Sequence, residues 1–276
     1  MAAAGEKHAC AARIIAAMLA KFTGWVLLGL IRLLTGAQAR WWGCPPKAEQ
    51  RIYFANHQSH LDLVMIWAAL PEELRSITRP IAARDYWATT PFKRWITTEV
   101  FNAIYVERGG SAPVAAPAPV AAPRERIEPF FEEATPIASE PVEMMQEELP
   151  LASAPADPAP APQPGSAEAL VPLQPLIDAL QSGDSIIIFP EGTRGHTGEP
   201  QKFKSGLYTL AQMFPEAVLV PAWIDNVQRV MPKGEVVPVP ILCSVTFGEP
   251  IRLEESEERR PFLDRAREAV IALRYV

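Results

Sequence analysis

The sequence predicts an α/β protein, and three observations carry that expectation. Arg51-Ile52-Tyr53-Phe54-Ala55 is apolar and β-branched and reads as a short buried strand, while Leu63–Leu70, closed by Pro71, reads as a helix. The alternation resumes after residue 169, with helices over Leu173–Gln181 and Leu207–Met213 and strands over Ser185–Phe189, Val218–Ile224 and Cys243–Phe247. Hydrophobic residues make up 49% of the 276-residue chain, enough for a sizeable core.

In chain order, residues 1–40 form a basic front end. Lys7, Arg13, Lys21, Arg32 and Arg40 stand against Glu6 alone. Residues 9–34 are otherwise apolar, and the longest charge-free run, Phe22–Ile31, is too short to span a bilayer by itself. On a helix, Arg13, Lys21 and Arg32 fall within an arc of about 100°. Ile15, Met18, Leu19, Phe22, Trp25 and Val26 take the opposite side. Such a helix, or a helix pair broken at Gly24 or Gly29, suits a membrane surface. Ala37-Gln38-Ala39 imitates a cleavage site, but Arg32 inside the apolar region argues against a signal peptide. Cys10, Cys44 and Cys243 are odd in number and lack CxxC spacing, which points to a reducing compartment and away from disulfides or zinc.

Asn56-His57-Gln58-Ser59-His60-Leu61-Asp62 is then the corner between strand and helix. Such strand-end corners are where α/β proteins place chemistry. His57 and Asp62 meet only if the chain turns between them. Ser-x-x-Asp supplies that turn as a capping box, with Ser59 at N-cap and Asp62 at N3. Asp62 then accepts from one ring nitrogen of His57 and leaves the other free as a base. In the plainer alternative Asp62 only caps a helix and His57 only ends a strand. A metal site of His57, His60 and Asp62 lacks a completing cluster, since the other histidines are His8 and His196.

After Leu74–Trp95, the run Thr97–Val106 reads as a buried strand ending at Glu107-Arg108-Gly109-Gly110. An arginine there serves as a phosphate clamp or as an ordinary solvated strand end. Residues 111–168 are rich in Pro and Ala and carry ten acidic residues against Arg124 and Arg126. They cannot bury enough surface to offset their ordering entropy and are expected to be a disordered insert, with a transient helix at Glu140–Leu149. Past Ser185–Phe189, Pro190-Glu191-Gly192-Thr193-Arg194-Gly195 forms a second strand-end loop. Lys202-Phe203-Lys204-Ser205-Gly206 opens the next helix, as an anion site or as a cap flanked by solvated lysines. Phe262–Tyr275 is a closing amphipathic helix.

Four blocks together resemble the glycerophospholipid acyltransferases, typified by 1-acylglycerol-3-phosphate (lysophosphatidate) acyltransferase. Asn56–Asp62 is similar to their HxxxxD block and Ala103-Ile104-Tyr105-Val106-Glu107-Arg108 to the second. Phe189-Pro190-Glu191-Gly192-Thr193-Arg194 matches the FPEGTR block, and Val220-Pro221-Ala222-Trp223-Ile224 resembles the fourth. The resemblance implies a mixed, mostly parallel sheet flanked by helices over residues 41–110 and 169–276. It implies His57 as general base, Asp62 as its orienter, and Arg108, Glu191, Gly192, Thr193 and Arg194 around the glycerol phosphate, with Lys204 and Ser205 as further candidates. Pro221 falls on the acyl side. It also implies acyl-CoA or acyl-acyl-carrier-protein as donor, no metal or other cofactor, no nucleic acid, and work among membrane lipids at the cytoplasmic face. Ala82-Ala83-Arg84-Asp85-Tyr86-Trp87 replaces the Lys-x-Glu-Leu-like stretch of many such enzymes, so another lysolipid, such as a lyso-ornithine lipid, stays open as acceptor. A lipid-binding module without catalysis and a hydrolase using the same His are the remaining alternatives.

Overall fold

The computed structural model describes residues 2–36, 38–59, 61–107, 170–195, 198–230 and 239–276, with side chains from residue 14 onward, Gln228 excepted. The strands are β1 (Gln38–Trp41), β2 (Arg51–Ala55), β3 (Thr78–Ala83), β4 (Ile104–Val106), β5 (Ser185–Ile188), β6 (Val218–Asp225) and β7 (Ser244–Phe247). They form one sheet in the order β1-β7-β6-β2-β5-β3-β4. Only β6 and β7 run antiparallel; β1–β7, β6–β2, β2–β5, β5–β3 and β3–β4 are parallel. The sheet is therefore mixed and mostly parallel, as expected.

Strand alternation makes two cores. Tyr53 and Ala55 of β2, with Ile187, Val220, Ala222 and Ile224, face α2 (Asp62–Ala69). Ile52 and Phe54, with Ile186, Ile188, Leu219 and Trp223, face α6 (Gln174–Gln181), α7 (Gly206–Met213) and α9 (Arg259–Ala272). A sheet covered on both sides needs continuous apolar strands, which is why every residue of β2 and β5 is buried. Shorter helices complete the chain: α3 (Glu72–Ser76), α4 (Arg84–Trp87), α5 (Pro91–Trp95) and α8 (Val227–Val230).

The structure departs from the sequence reading in two places here. The strand expected over Thr97–Val106 is confined to Ile104–Val106; Ile96–Val100 is instead a π-helical extension of α5. Thr97 and Thr98 bond back to the carbonyls of Lys93 and Arg94, at 2.6 and 2.7 Å, so their hydroxyls serve a helix despite their β propensity. Gln38 and Ala39, the cleavage-site imitation, lie in β1 and pair with Ser244 and Val245, so the sheet begins before residue 41. The insert, residues 111–168, lies outside the described residues, as do His60, Arg108 and His196.

The front end is a single helix, α1 (Ala2–Thr35), with no break at Gly24 or Gly29. Its segment Ile14–Thr35, 22 residues with a mean hydropathy of 2.0, is long and apolar enough to cross a membrane by length and composition. One side packs on the domain. Ala20 and Thr35 are buried, Leu27, Leu28 and Ile31 are partly buried, and Gly24 lies where a Cβ would be 3.3 Å from Val100. The 3–4 residue spacing of these positions is that of a helix stripe. Ile15, Met18, Leu19, Phe22, Trp25 and Val26 are exposed, Trp25 to 73%.

Candidate active site

Parallel pairing brings the carboxyl ends of β2, β3, β4, β5 and β6 to one edge of the sheet. The corner after β2, the loop after β5 and α4 after β3 all start there.

Asn56 fixes the start of the corner. Its side chain is buried; Nδ2 donates to the Ile224 carbonyl (3.0 Å) and Oδ1 accepts from the Ile224 N–H (2.8 Å). The amide thus copies strand pairing one residue past β2 and pins the corner to β6.

His57 is held from four directions. Its ring stacks on Phe189, with centroids 4.5 Å apart and planes at 22°. Its N–H donates to Glu191 Oε1 (2.7 Å), and its carbonyl accepts from the Gly195 N–H (2.8 Å). Its Nδ1 lies 2.9 Å from Asp62 Oδ2. The contact that the spacing predicts is therefore present. Asp62 Oδ2 also accepts from the N–H groups of Gln58 (2.6 Å) and Ser59 (2.7 Å). Two backbone N–H groups make Oδ2 an acceptor, and with Nδ1 in reach of the same oxygen the imidazole proton is assigned to Nδ1, leaving the Nε2 lone pair for other work. Asp62 is buried, and its Oδ1 has no protein partner among the described residues. A carboxylate beside Nδ1 favours an imidazolium at His57.

The turn differs in detail from a capping box. Asp62 does fold back on the Ser59 N–H, but Ser59 Oγ accepts from Leu61 N (3.2 Å), and Leu61 occupies the N-cap without a side-chain cap bond. The carboxylate that would cap the helix is turned toward His57 instead.

Glu191 faces inward from the loop after β5. It is 2% exposed, Oε1 is taken by His57 N–H, and Oε2 accepts from the Gln201 N–H (2.8 Å). Burial pushes its pKa up, against the pull of the two backbone bonds. A shielded carboxylate with both oxygens occupied is not open to a glycerol phosphate. Gly192 has a different reason to be glycine. Its φ is +69°, and a Cβ there would lie 2.6 Å from Lys204 Nζ, so the lysine side chain lies across the turn. Thr193 and Arg194 are exposed; Thr193 Oγ1 is 3.3 Å from Gln201 Oε1. Lys204 N–H donates to the Pro190 carbonyl (2.9 Å), which ties the start of α7 to this loop. Ser205 sits at the N-cap of α7, yet its backbone is helical and its hydroxyl makes no cap bond.

Pro221 is not part of the corner. It pairs with Phe54 in β6 and lines a groove of about 540 Å³ with Trp42, Ile251, Arg252, Arg265 and Leu273. Among the described residues, none from the corner lines that groove. Among the described residues, no group of three His, Cys, Asp or Glu side chains is placed to hold a metal. The sequence reading missed Asn56, Phe189 and Gly195 as supports of His57. The available signal was their position at the ends of two strands that pair in parallel.

No curated protein sequence matches the chain. The crystal structure of the 1-acyl-sn-glycerophosphate (LPA) acyltransferase PlsC from Thermotoga maritima is similar in fold, with a TM-score of 0.54 at 16% identity, over 93% of this chain and 80% of that one. The model of the acyltransferase family matches residues 45–155 and 158–225, a span that contains the corner, the loop after β5 and β6. The chain belongs to the acyltransferase family and is an acyltransferase.

Proposed function

We propose that the protein transfers a fatty acyl group from acyl-CoA or acyl-acyl-carrier-protein to the free hydroxyl of lysophosphatidate, making phosphatidate for phospholipid synthesis. The observation that carries this reading is the His57–Asp62 pair, at 2.9 Å on the carboxyl edge of the sheet. A hydroxyl is a poor nucleophile at neutral pH. His57 Nε2 takes its proton as the oxygen attacks the thioester carbonyl, and Asp62 balances the imidazolium that forms. The tetrahedral intermediate then collapses, the C–S bond breaks, and the thiolate leaves with the proton from Nε2. The acceptor's own oxygen is the nucleophile, so the route calls for no metal or cofactor.

Arg194 and Lys204, exposed beside the buried half of the loop after β5, are the cations we assign to the acceptor phosphate, with Thr193 beside them and Arg108 as a further ligand. We assign α1 to the cytoplasmic membrane surface. The stripe through Ala20, Gly24, Leu27 and Ile31 is committed to the domain, while Ile15, Phe22 and Trp25 have water where lipid would serve better. A related lysolipid is the second reading for the acceptor, favoured by Arg84-Asp85-Tyr86-Trp87, which forms α4 on the same edge and departs from the usual pattern.

Purified protein given acyl-CoA and a mixed lysolipid pool tests the reading. Thiol release together with a phosphatidate product by mass spectrometry is expected. Acylation of another lysolipid alone would replace the acceptor, and fatty acid release without acceptor would mark a hydrolase.

A further inference from the structure

We propose that Glu191 is a positioning residue for the base, not a ligand of the acceptor phosphate. This deepens the reading above and rests on His57 being the base. Three observations carry it. Both Glu191 oxygens are committed to backbone N–H groups, of His57 at 2.7 Å and Gln201 at 2.8 Å, in a site from which water is almost wholly excluded. A carboxylate in that setting repels a phosphate rather than binding it. The loop also grips His57 on both sides of its Cα, through Glu191 on the N–H and Gly195 on the carbonyl, with Phe189 under the ring. The peptide planes flanking His57 set where its Cβ points, and Asp62 sets the rotation of the ring.

The second oxygen extends the effect. Gln201 lies three residues before Lys204, whose side chain crosses Gly192. Glu191 therefore braces two segments at once, the one that carries the base and the one that carries a cation toward the acceptor. A displacement of about 1 Å between base and acceptor costs on the order of 10²-fold in rate, so the brace governs turnover without touching substrate.

Glu191→Gln tests this. The amide presents one acceptor oxygen and one NH₂, so one of the two backbone N–H groups loses its acceptor and faces a donor. The expected result is a kcat about 10- to 100-fold lower, with the lysophosphatidate KM within about twofold of wild type. Amide exchange at His57 is expected to quicken. In a His57→Ala background, Glu191→Gln is expected to cost less than about twofold more, because the two act through one group. Glu191→Asp, which keeps the charge but is one methylene too short to bridge both N–H groups, is expected to lower kcat in the same way, and it serves should the Gln variant unfold. A raised KM at preserved kcat would overturn the proposal. So would full additivity with His57→Ala, or unchanged exchange at His57. The exchange result stands without any substrate, so a wild-type protein that ignores lysophosphatidate would defeat the proposed acceptor and leave this inference separately judged.

Discussion

Phe189, Glu191 and Gly195 turn inward and touch His57, whereas Thr193 and Arg194, between them in the chain, are exposed. One loop thus presents two chemically different halves. The inner half supplies a ring, a buried carboxylate and an N–H, all spent on the geometry of one residue. The outer half supplies a hydroxyl and a guanidinium that meet solvent. The difference teaches that a contiguous motif does not share one role: its burial pattern divides it into a half that holds His57 and a half that meets solvent, to which we assign the support of the base and the contact with the substrate. Damage to the inner half should therefore appear in kcat, and damage to the outer half in KM.

The largest expected effect removes what the inner half supports. His57→Ala should lower kcat by ~10²–10⁴-fold, the usual range for a positioned base, in a thiol-release assay with acyl-CoA and lysophosphatidate. Wild-type turnover would dissolve the distinction between the halves. Asn56→Ala strips both partners from the Ile224 backbone in a buried site, at a cost of about 1–3 kcal/mol in unfolding free energy, and should lower kcat as well because the corner loses its tie to β6. Denaturant titration and steady-state rates check both parts. Arg194→Ala tests the outer half: the acceptor KM should rise by roughly 10-fold, about the worth of one charge-assisted bond, with kcat little changed. Gly192→Ala lies between the halves, since its Cβ would displace Lys204 and its φ of +69° disfavours any side chain; both KM and stability should suffer.

A smaller effect separates two carboxylates that both hold partners. Glu257, bonded to Arg265 at 3.0 Å through Nε, is held below its ordinary pKa chiefly by that bond. Its stabilisation is present above the unfolded-state value and is lost as pH falls through the lowered one. Glu191 has the opposite sign. Burial raises its pKa, so its ionised form opposes folding at neutral pH, and that opposition is relieved as pH falls through the raised value. Thermal unfolding against pH should show wild type ahead of Glu257→Gln at neutral pH and level with it in strong acid. An advantage that persists in acid would contradict the assignment.

Much of this was legible before the fold was known. Buried strands such as Ser185–Ile188 are continuous apolar runs that only a covered parallel sheet accommodates, and the His57–Asp62 contact follows from a turn that Ser59 signals. β1 and β3 were not legible, because Gln38-Ala39-Arg40-Trp41 and Thr78-Arg79-Pro80-Ile81-Ala82-Ala83 have weak strand propensity and are strands only because β7 and β5 offer them a ladder. The role of Glu191 was hidden for a related reason. A glutamate in a strand-end loop looks exposed in sequence, and only the parallel pairing of β2 with β5 reveals that one of its oxygens meets the backbone of His57.

The central claim is that Asp62 holds His57 as the base acting on the acceptor. Asp62→Asn measures it most directly, because the change keeps size and shape while removing the charge and an acceptor. The account predicts a kcat lower by ~10²–10⁴-fold with the acceptor KM nearly unchanged. Turnover at the wild-type rate in a folded Asp62→Asn protein would contradict it.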